Sequence, residues 1–243
     1  MFKKPGILIP LVALTTMLGS VCRVHAVEPP PSTQESKYHD EVAKLLAAPA
    51  PAPGGVLMVG SSIFRKWASC AQDLAPLPVT NRGFGGSQTG DQLLFFEQIV
   101  PSSRASVVVW YCGSNDVNAR KSPEAILQNT KEWIARTQSA LPHARVLIVS
   151  VIRAPQKRED GKLPQVDTVN NGLHALSGSI KGVDYIDVNP ALQTPAGEPV
   201  AECFVEDHLH LTPEGYRRMT SVLKPVVGKL WNASPAPLVP AAR

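Results

Sequence analysis

The chain has 243 residues, of which 44% are hydrophobic and 18% charged, with a formal charge of +4. This length and apolar content suit one globular domain with a sizeable core. Three cations (Lys3, Lys4, Arg23) and no acid fall in residues 1–26, so without that stretch the chain carries +1. What remains excludes the clustered basic footprint that nucleic acid or an anionic membrane would require.

In chain order, Met1-Phe2-Lys3-Lys4 is basic, an apolar run follows over 7–18, and Val24-His25-Ala26 supplies small residues before Val27. Residues 1–26 therefore read as a signal peptide, and export to the periplasm or medium is expected. The run is shorter than a membrane span needs and is broken by Pro10. No membrane span is expected after cleavage. Residues 27–54 read as a linker and an N-terminal helix over 37–48, ended by a Pro- and Ala-rich stretch.

The apolar run Val56-Leu57-Met58-Val59, bounded by glycines, reads as a buried parallel strand, with Ser61 and Ser62 at its exposed end. A short strand is predicted over 78–81. An amphipathic helix is predicted over 88–100 with Leu93, Leu94, Phe96 and Ile99 inward, and a strong β-branched strand over 106–112. A helix over 123–140, a strand over 145–152, a polar loop over 153–164, a helix over 166–181 and a strand over 183–188 follow. A last helix opens at Thr212-Pro213-Glu214 and runs to about residue 231, before a loose tail over 232–243. Alternation of this kind predicts βαβ units and an α/β fold with a parallel sheet of about five strands, covered on both faces.

Four stretches at strand ends carry chemistry. Ser62 is a candidate nucleophile, although a serine after a strand also serves as a turn former or helix cap. Asn81-Arg82-Gly83-Phe84-Gly85-Gly86-Ser87 can bring a main-chain N–H close to a ligand, or form a plain tight turn. Gly113-Ser114-Asn115-Asp116 offers an amide donor for a developing oxyanion, or an Asx turn. In Asp207-His208-Leu209-His210, a carboxylate three residues before an imidazole can orient it toward a serine; metal binding by Asp207, His208 and His210 is the alternative, and it lacks a further ligand. His39, His143 and His174 read as surface residues. Cys70, Cys112 and Cys203 permit one bridge and a free thiol, or three buried thiols.

In this order the four stretches resemble the blocks of the SGNH hydrolases, also called the GDSL esterase/lipase family, over about 56–227. The resemblance implies a three-layer α/β/α sandwich similar to flavodoxin's over 55–231, and a serine esterase without metal or cofactor. It implies Ser62 as nucleophile, with Asp207 and His210 completing the triad. The Ser62 and Gly86 N–H groups and the Asn115 side chain form the implied oxyanion hole. The similarity is greatest to small bacterial members reading Gly-Ser-Ser in the first block. Two residues depart from the common pattern: Ser61 stands where an aspartate is usual, and His208 where a glycine is. Ser61, Arg153 and His208 are candidate pocket residues. With no long insertion for a lid, short acyl or acetyl esters of a small molecule or polysaccharide are the expected substrates. An envelope-polysaccharide O-acetyltransferase, a lipase or thioesterase, and a non-catalytic carbohydrate-binding protein are the alternatives.

Overall fold

The computed structural model describes Met1 and residues 33–234. The expected leader, the linker up to residue 32 and the tail from 235 lie outside the described residues. The described residues 33–234 form one compact unit. Its elements are α1 (Thr33–Ala47), β1 (Val56–Gly60), α2 (Ser62–Arg65), α3 (Cys70–Asp73), β2 (Val79–Asn81), α4 (Thr89–Leu94), α5 (Phe96–Ile99), β3 (Val107–Tyr111), α6 (Ser114–Asn118), α7 (Pro123–Ala140), β4 (Arg145–Val149), α8 (Pro155–Glu159), α9 (Leu163–Ser179), β5 (Val183–Ile186), α10 (Asn189–Leu192) and α11 (Pro213–Ala233).

The five strands pair in parallel in the order β2-β1-β3-β4-β5. This is the expected α/β/α sandwich, with the doubly wound order in which the direction of winding reverses between β1 and β3. Side-chain alternation along the strands divides the core. Leu57, Val59, Val108, Trp110, Val146 and Ile148 face the layer of α1, α5, α7 and α9. Val56, Met58, Val107, Val109, Tyr111, Leu147 and Val149 face the layer of α2, α3, α10 and α11. Both faces are covered, which is why the central strands read as unbroken apolar runs.

Three expectations change. The helix expected over 88–100 is two short helices meeting at Phe95, and Leu94, expected inward, is 44% exposed. The break turns Phe95 inward, edge-on to Tyr38 and Phe84, in a packing that a continuous helix through Leu94 would not give. The loop expected over 153–164 contains α8 and the start of α9, and Lys157 is buried within it. The short helices α2, α3, α6 and α10 were not expected; at four or five residues each, they carry too few positions to show a period. By contrast α7 opens at Pro123, capped by Ser122, and ends at Ala140 as expected.

The three cysteines are free and buried; burial pushes the Cys70 thiol up to about 12. Among the described residues no helix is long and apolar enough to cross a membrane.

Candidate active site

The site is built at the carboxyl ends of β1 and β3, on either side of the point where the strand order reverses. Gly60 ends β1 at φ 153°, and a Cβ on it would lie 2.0 Å from the Tyr111 carbonyl oxygen, so only glycine lets the chain leave the sheet here. Ser61 follows, its N–H donating to that same carbonyl at 3.1 Å, and Ser62 is the first residue of α2. The Ser62 N–H accordingly has no partner within the helix.

The imidazole arrives from the far end of the chain. Phe204 and Leu211 pair as an antiparallel bridge, and Val205 N–H donates to the His210 carbonyl at 2.9 Å, closing 204–211 into a tight loop ahead of α11. Thr212 caps α11 by accepting the Gly215 N–H at 3.2 Å. From the first turn of α11, Tyr216 donates its hydroxyl to the Ile63 carbonyl at 2.7 Å and stacks on Trp67 at 5.4 Å. The loop bearing His210 is thereby fixed to the turn bearing Ser62.

His210 Nε2 lies 2.9 Å from Ser62 Oγ, and His210 Nδ1 lies 2.5 Å from Asp207 Oδ2. An ionised carboxylate only accepts, so Nδ1 carries the proton and Nε2 is left to accept from the serine hydroxyl. Asp207 Oδ1 also accepts the main-chain N–H groups of His210 at 2.8 Å and Leu209 at 3.0 Å. Partial burial pushes the Asp207 carboxyl up, but these N–H groups and the imidazole outweigh it and hold it down at about 2. The chain therefore brings together a hydroxyl, a base oriented to take its proton, and a permanent anion behind the base.

The expected oxyanion donors lie on the same rim. Asn115, in the first turn of α6 after β3, spends one Nδ2 hydrogen on the Ser87 carbonyl at 2.9 Å, which leaves its second hydrogen for a ligand. Gly86 is exposed at φ 73°, and its carbonyl accepts the Tyr38 hydroxyl at 2.9 Å. The three candidate pocket residues separate. Ser61 is 1% exposed, with its hydroxyl turned into the protein and unpartnered, so it does not line a pocket: the bond to Tyr111 and the start of α2 turn it inward. His208 has φ 56°, the left-handed region that suits the glycine usual there, and its Nδ1 meets Glu159 at 2.6 Å. It borders a hollow of about 420 Å³ lined by Pro155, Pro199, Ala201, Phe204 and Val205. Its ring is thus committed to Glu159 while His210 is committed to Asp207, which leaves the three side chains unsuited to share a metal. Arg153 lines a separate polar cleft and pairs with Asp167.

Four further residues support the site, and of these only Asp116 lies within one of the motifs. Gln92, 1% exposed, donates to the Gly60 carbonyl at 3.0 Å and to Ser87 Oγ at 2.8 Å, linking β1 to the glycine-rich loop. Buried Asp116 accepts Thr89 N–H at 3.0 Å and Thr89 Oγ1 at 2.7 Å, tying α6 to α4. Lys157 donates to the Ser114 carbonyl at 3.1 Å, and Tyr38 reaches in from α1. The only sequence signal for these was a polar residue in an otherwise apolar or motif-bearing stretch.

A parallel α/β sandwich with a serine, histidine and aspartate linked at its switch point defines a serine hydrolase. The profile of the GDSL-like Lipase/Acylhydrolase family matches residues 28–218, and the chain belongs to that family; it is a serine hydrolase acting on ester bonds. Among solved structures, the chain is similar to a Streptococcus pneumonia protein provisionally described as a platelet activating factor, with 20% identity over 80% of this chain and 92% of that one, and a TM-score of 0.70. It is also similar to a GDSL-like lipase from Bacteroides thetaiotaomicron, with 21% identity over 80% of this chain and 97% of that one, and a TM-score of 0.66. A carbohydrate esterase family 3 protein from Talaromyces cellulolyticus shares 15% identity over 73% of this chain and 97% of that one, with a TM-score of 0.58. At these identities the likeness concerns the fold. A comparison with curated protein sequences gives no match.

Proposed function

We propose that this protein is an exported esterase that removes short acyl groups, acetyl foremost, from hydroxyl-rich alcohols through a Ser62 acyl-enzyme. The observation that carries the reading is the Ser62, His210 and Asp207 relay at 2.9 Å and 2.5 Å, with the Asn115 amide and Gly86 on the same rim. His210 Nε2 takes the Ser62 proton as Oγ bonds to the ester carbonyl carbon. The resulting oxyanion faces the Ser62 and Gly86 N–H groups and the second Asn115 hydrogen. The imidazolium then gives its proton to the departing alkoxide, and water repeats the sequence to free the acid.

Short acyl groups are favoured because the triad stands near the surface, with the Asp207 side chain 44% exposed. A likeness to a carbohydrate esterase adds weight to a sugar-like alcohol. Export rests on the basic and apolar leader of residues 1–26 and its Ala26 boundary. The test is a panel of p-nitrophenyl acetate, butyrate and octanoate beside acetylated xylan, with kcat/KM expected to fall as the acyl chain lengthens. Preference for octanoate would overturn the short-acyl assignment. N-terminal sequencing of the exported protein should begin at Val27.

A further inference from the structure

The cleft of about 730 Å³ bordered by Arg153 lies on the rim that carries Ser62, and the relay makes no use of it. Arg153 follows β4 and Asn189 follows β5, so the cleft opens at the carboxyl ends of the two strands farthest from β2. Strand spacing puts β5 about 14 Å from β1, a span that a short oligosaccharide covers.

Its walls are set before any ligand arrives. Asn170 is held at both ends of its amide, accepting Val151 N–H at 2.7 Å and donating to the Val151 carbonyl at 2.9 Å. Asn189 accepts Arg153 N–H at 2.7 Å and donates to Ser150 Oγ, the Val151 carbonyl and Asp187 Oδ1. On the open side, exposed His174 lies against Tyr185, with ring centroids 5.0 Å apart and planes at 32°. Asn171 and Asp187 are exposed beside them.

The composition narrows the ligand. An acyl chain would desolvate the exposed Asn171 amide and the Asp187 carboxylate at the cleft without replacing their contacts to water. An anion meets a negative balance, because Arg153 is already paired with Asp167 and Asp187 adds a second acid. Aromatic faces beside fixed amides and a carboxylate suit a ligand with an apolar C–H face and a rim of hydroxyls, which is the chemistry of a neutral sugar ring.

We propose that this cleft is a subsite for neutral sugar rings of the alcohol half of the substrate, holding a glycan chain whose acyl group reaches Ser62. The inference rests on the sugar-alcohol part of the proposed function, and its test is separable from turnover. Calorimetric titration of the Ser62→Ala protein with unacetylated xylohexaose, cellohexaose and mannohexaose should show binding to at least one, with no binding of an oligogalacturonide. In the same background, His174→Ala and Asn171→Leu, both at exposed positions, should each weaken binding about fivefold or more. In the active enzyme, His174→Ala should raise KM on the acetylated polymer about fivefold and leave kcat/KM on p-nitrophenyl acetate unchanged. Failure of all three neutral chains to bind overturns the subsite, as does binding indifferent to both substitutions or tighter binding of the oligogalacturonide. Loss of p-nitrophenyl acetate hydrolysis in the unmodified protein would instead overturn the esterase reading, whatever calorimetry gives.

Discussion

Lys157 Nζ donates to the Ser114 carbonyl at 3.1 Å, and so a wholly buried ammonium holds the peptide that leads into Asn115. Its other acceptors are Asn118 Oδ1 at 2.6 Å and Gln156 Oε1 at 3.2 Å, neither of them charged. Through Gln156, whose N–H donates to the His208 carbonyl at 2.9 Å, the same helix α8 braces the loop that carries His210. Lys157→Met should orphan these acceptors and loosen Asn115. We expect kcat to fall on the order of tenfold with KM within about twofold, which corresponds to about 1.4 kcal/mol of transition-state stabilisation. Burial and then the nearby Lys162 lower the Lys157 ammonium from an ordinary 10.5 to about 8, against a smaller opposing effect of Asp160. Between those values the unfolded chain holds the proton that the folded one has lost, so the unmodified protein should gain stability over Lys157→Met as pH rises from about 8 to 10.5. Melting temperatures of the two proteins across that range check the sign.

Two adjacent serines divide sharply in environment. Ser62 Oγ meets His210, whereas Ser61 is 1% exposed and faces inward. Ser62→Ala should lower kcat by several orders of magnitude and abolish labelling by a serine-directed phosphonate. Ser61→Ala should keep both, because its buried hydroxyl has no partner to lose. Labelling that survives Ser62→Ala and disappears in Ser61→Ala would reverse the assignment.

Asn115 spends one amide hydrogen on the Ser87 carbonyl, and the proposed mechanism gives the other to the oxyanion. Removing an oxyanion donor costs roughly 10² to 10³ in kcat. Asn115→Ala should show that loss while its circular dichroism and melting behaviour stay close to those of the unmodified protein. An activity within about twofold would mean that the second amide hydrogen does not face the reaction.

What the sequence made legible follows from where the information sits. The buried strands carry β-branched and apolar runs because both sheet faces are covered, so β1, β3 and β4 could be read directly. The four motifs in their order implied the relay through their resemblance to the family's blocks; in the structure Ser62 follows β1, and Asp207 and His210 share one loop. The residues that hold this machinery were hidden for a different reason. Lys157 fell in a stretch with Arg158, Glu159, Asp160 and Lys162, where one inward-turned lysine looks like any solvated charge. Gln92 and Asp116 act through partners 32 and 27 residues away, which no local pattern encodes. The apolar spacing of 88–100 fits period 3.6 on either side of Phe95, and only packing against Tyr38 and Phe84 selects the break.

The first helix also belongs to the site. Tyr38 is 3% exposed and places its hydroxyl on the Gly86 carbonyl, and Glu41 Oε1 accepts Gly85 N–H at 3.1 Å while pairing with Arg65. These bonds orient the Phe84–Gly85 and Gly86–Ser87 peptides, which flank the one that carries the Gly86 N–H. Tyr38→Phe keeps the ring packing against Phe84 and removes only the hydrogen bond, so kcat should fall several-fold, about the effect of one net hydrogen bond, with little change in melting temperature. Equal activity in the two proteins would leave α1 a packing role alone.

Asp207 sets the last expectation. Because hydrogen bonds from His210 and Leu209 outweigh its desolvation, its carboxyl falls from an ordinary 3.8 to about 2 in the folded protein. A group whose folded value is depressed contributes stability in full above its unfolded value and loses it as pH falls through its folded value. The stability difference between the unmodified protein and Asp207→Asn should therefore be constant above about pH 5 and shrink as pH falls from about 4 toward 2. At neutral pH, Asp207→Asn should depress kcat far more than it raises KM, because an amide can present its N–H to Nδ1 and favour the tautomer that leaves Nε2 protonated and unable to accept from Ser62. A loss confined to KM would place Asp207 in binding and take it out of the relay.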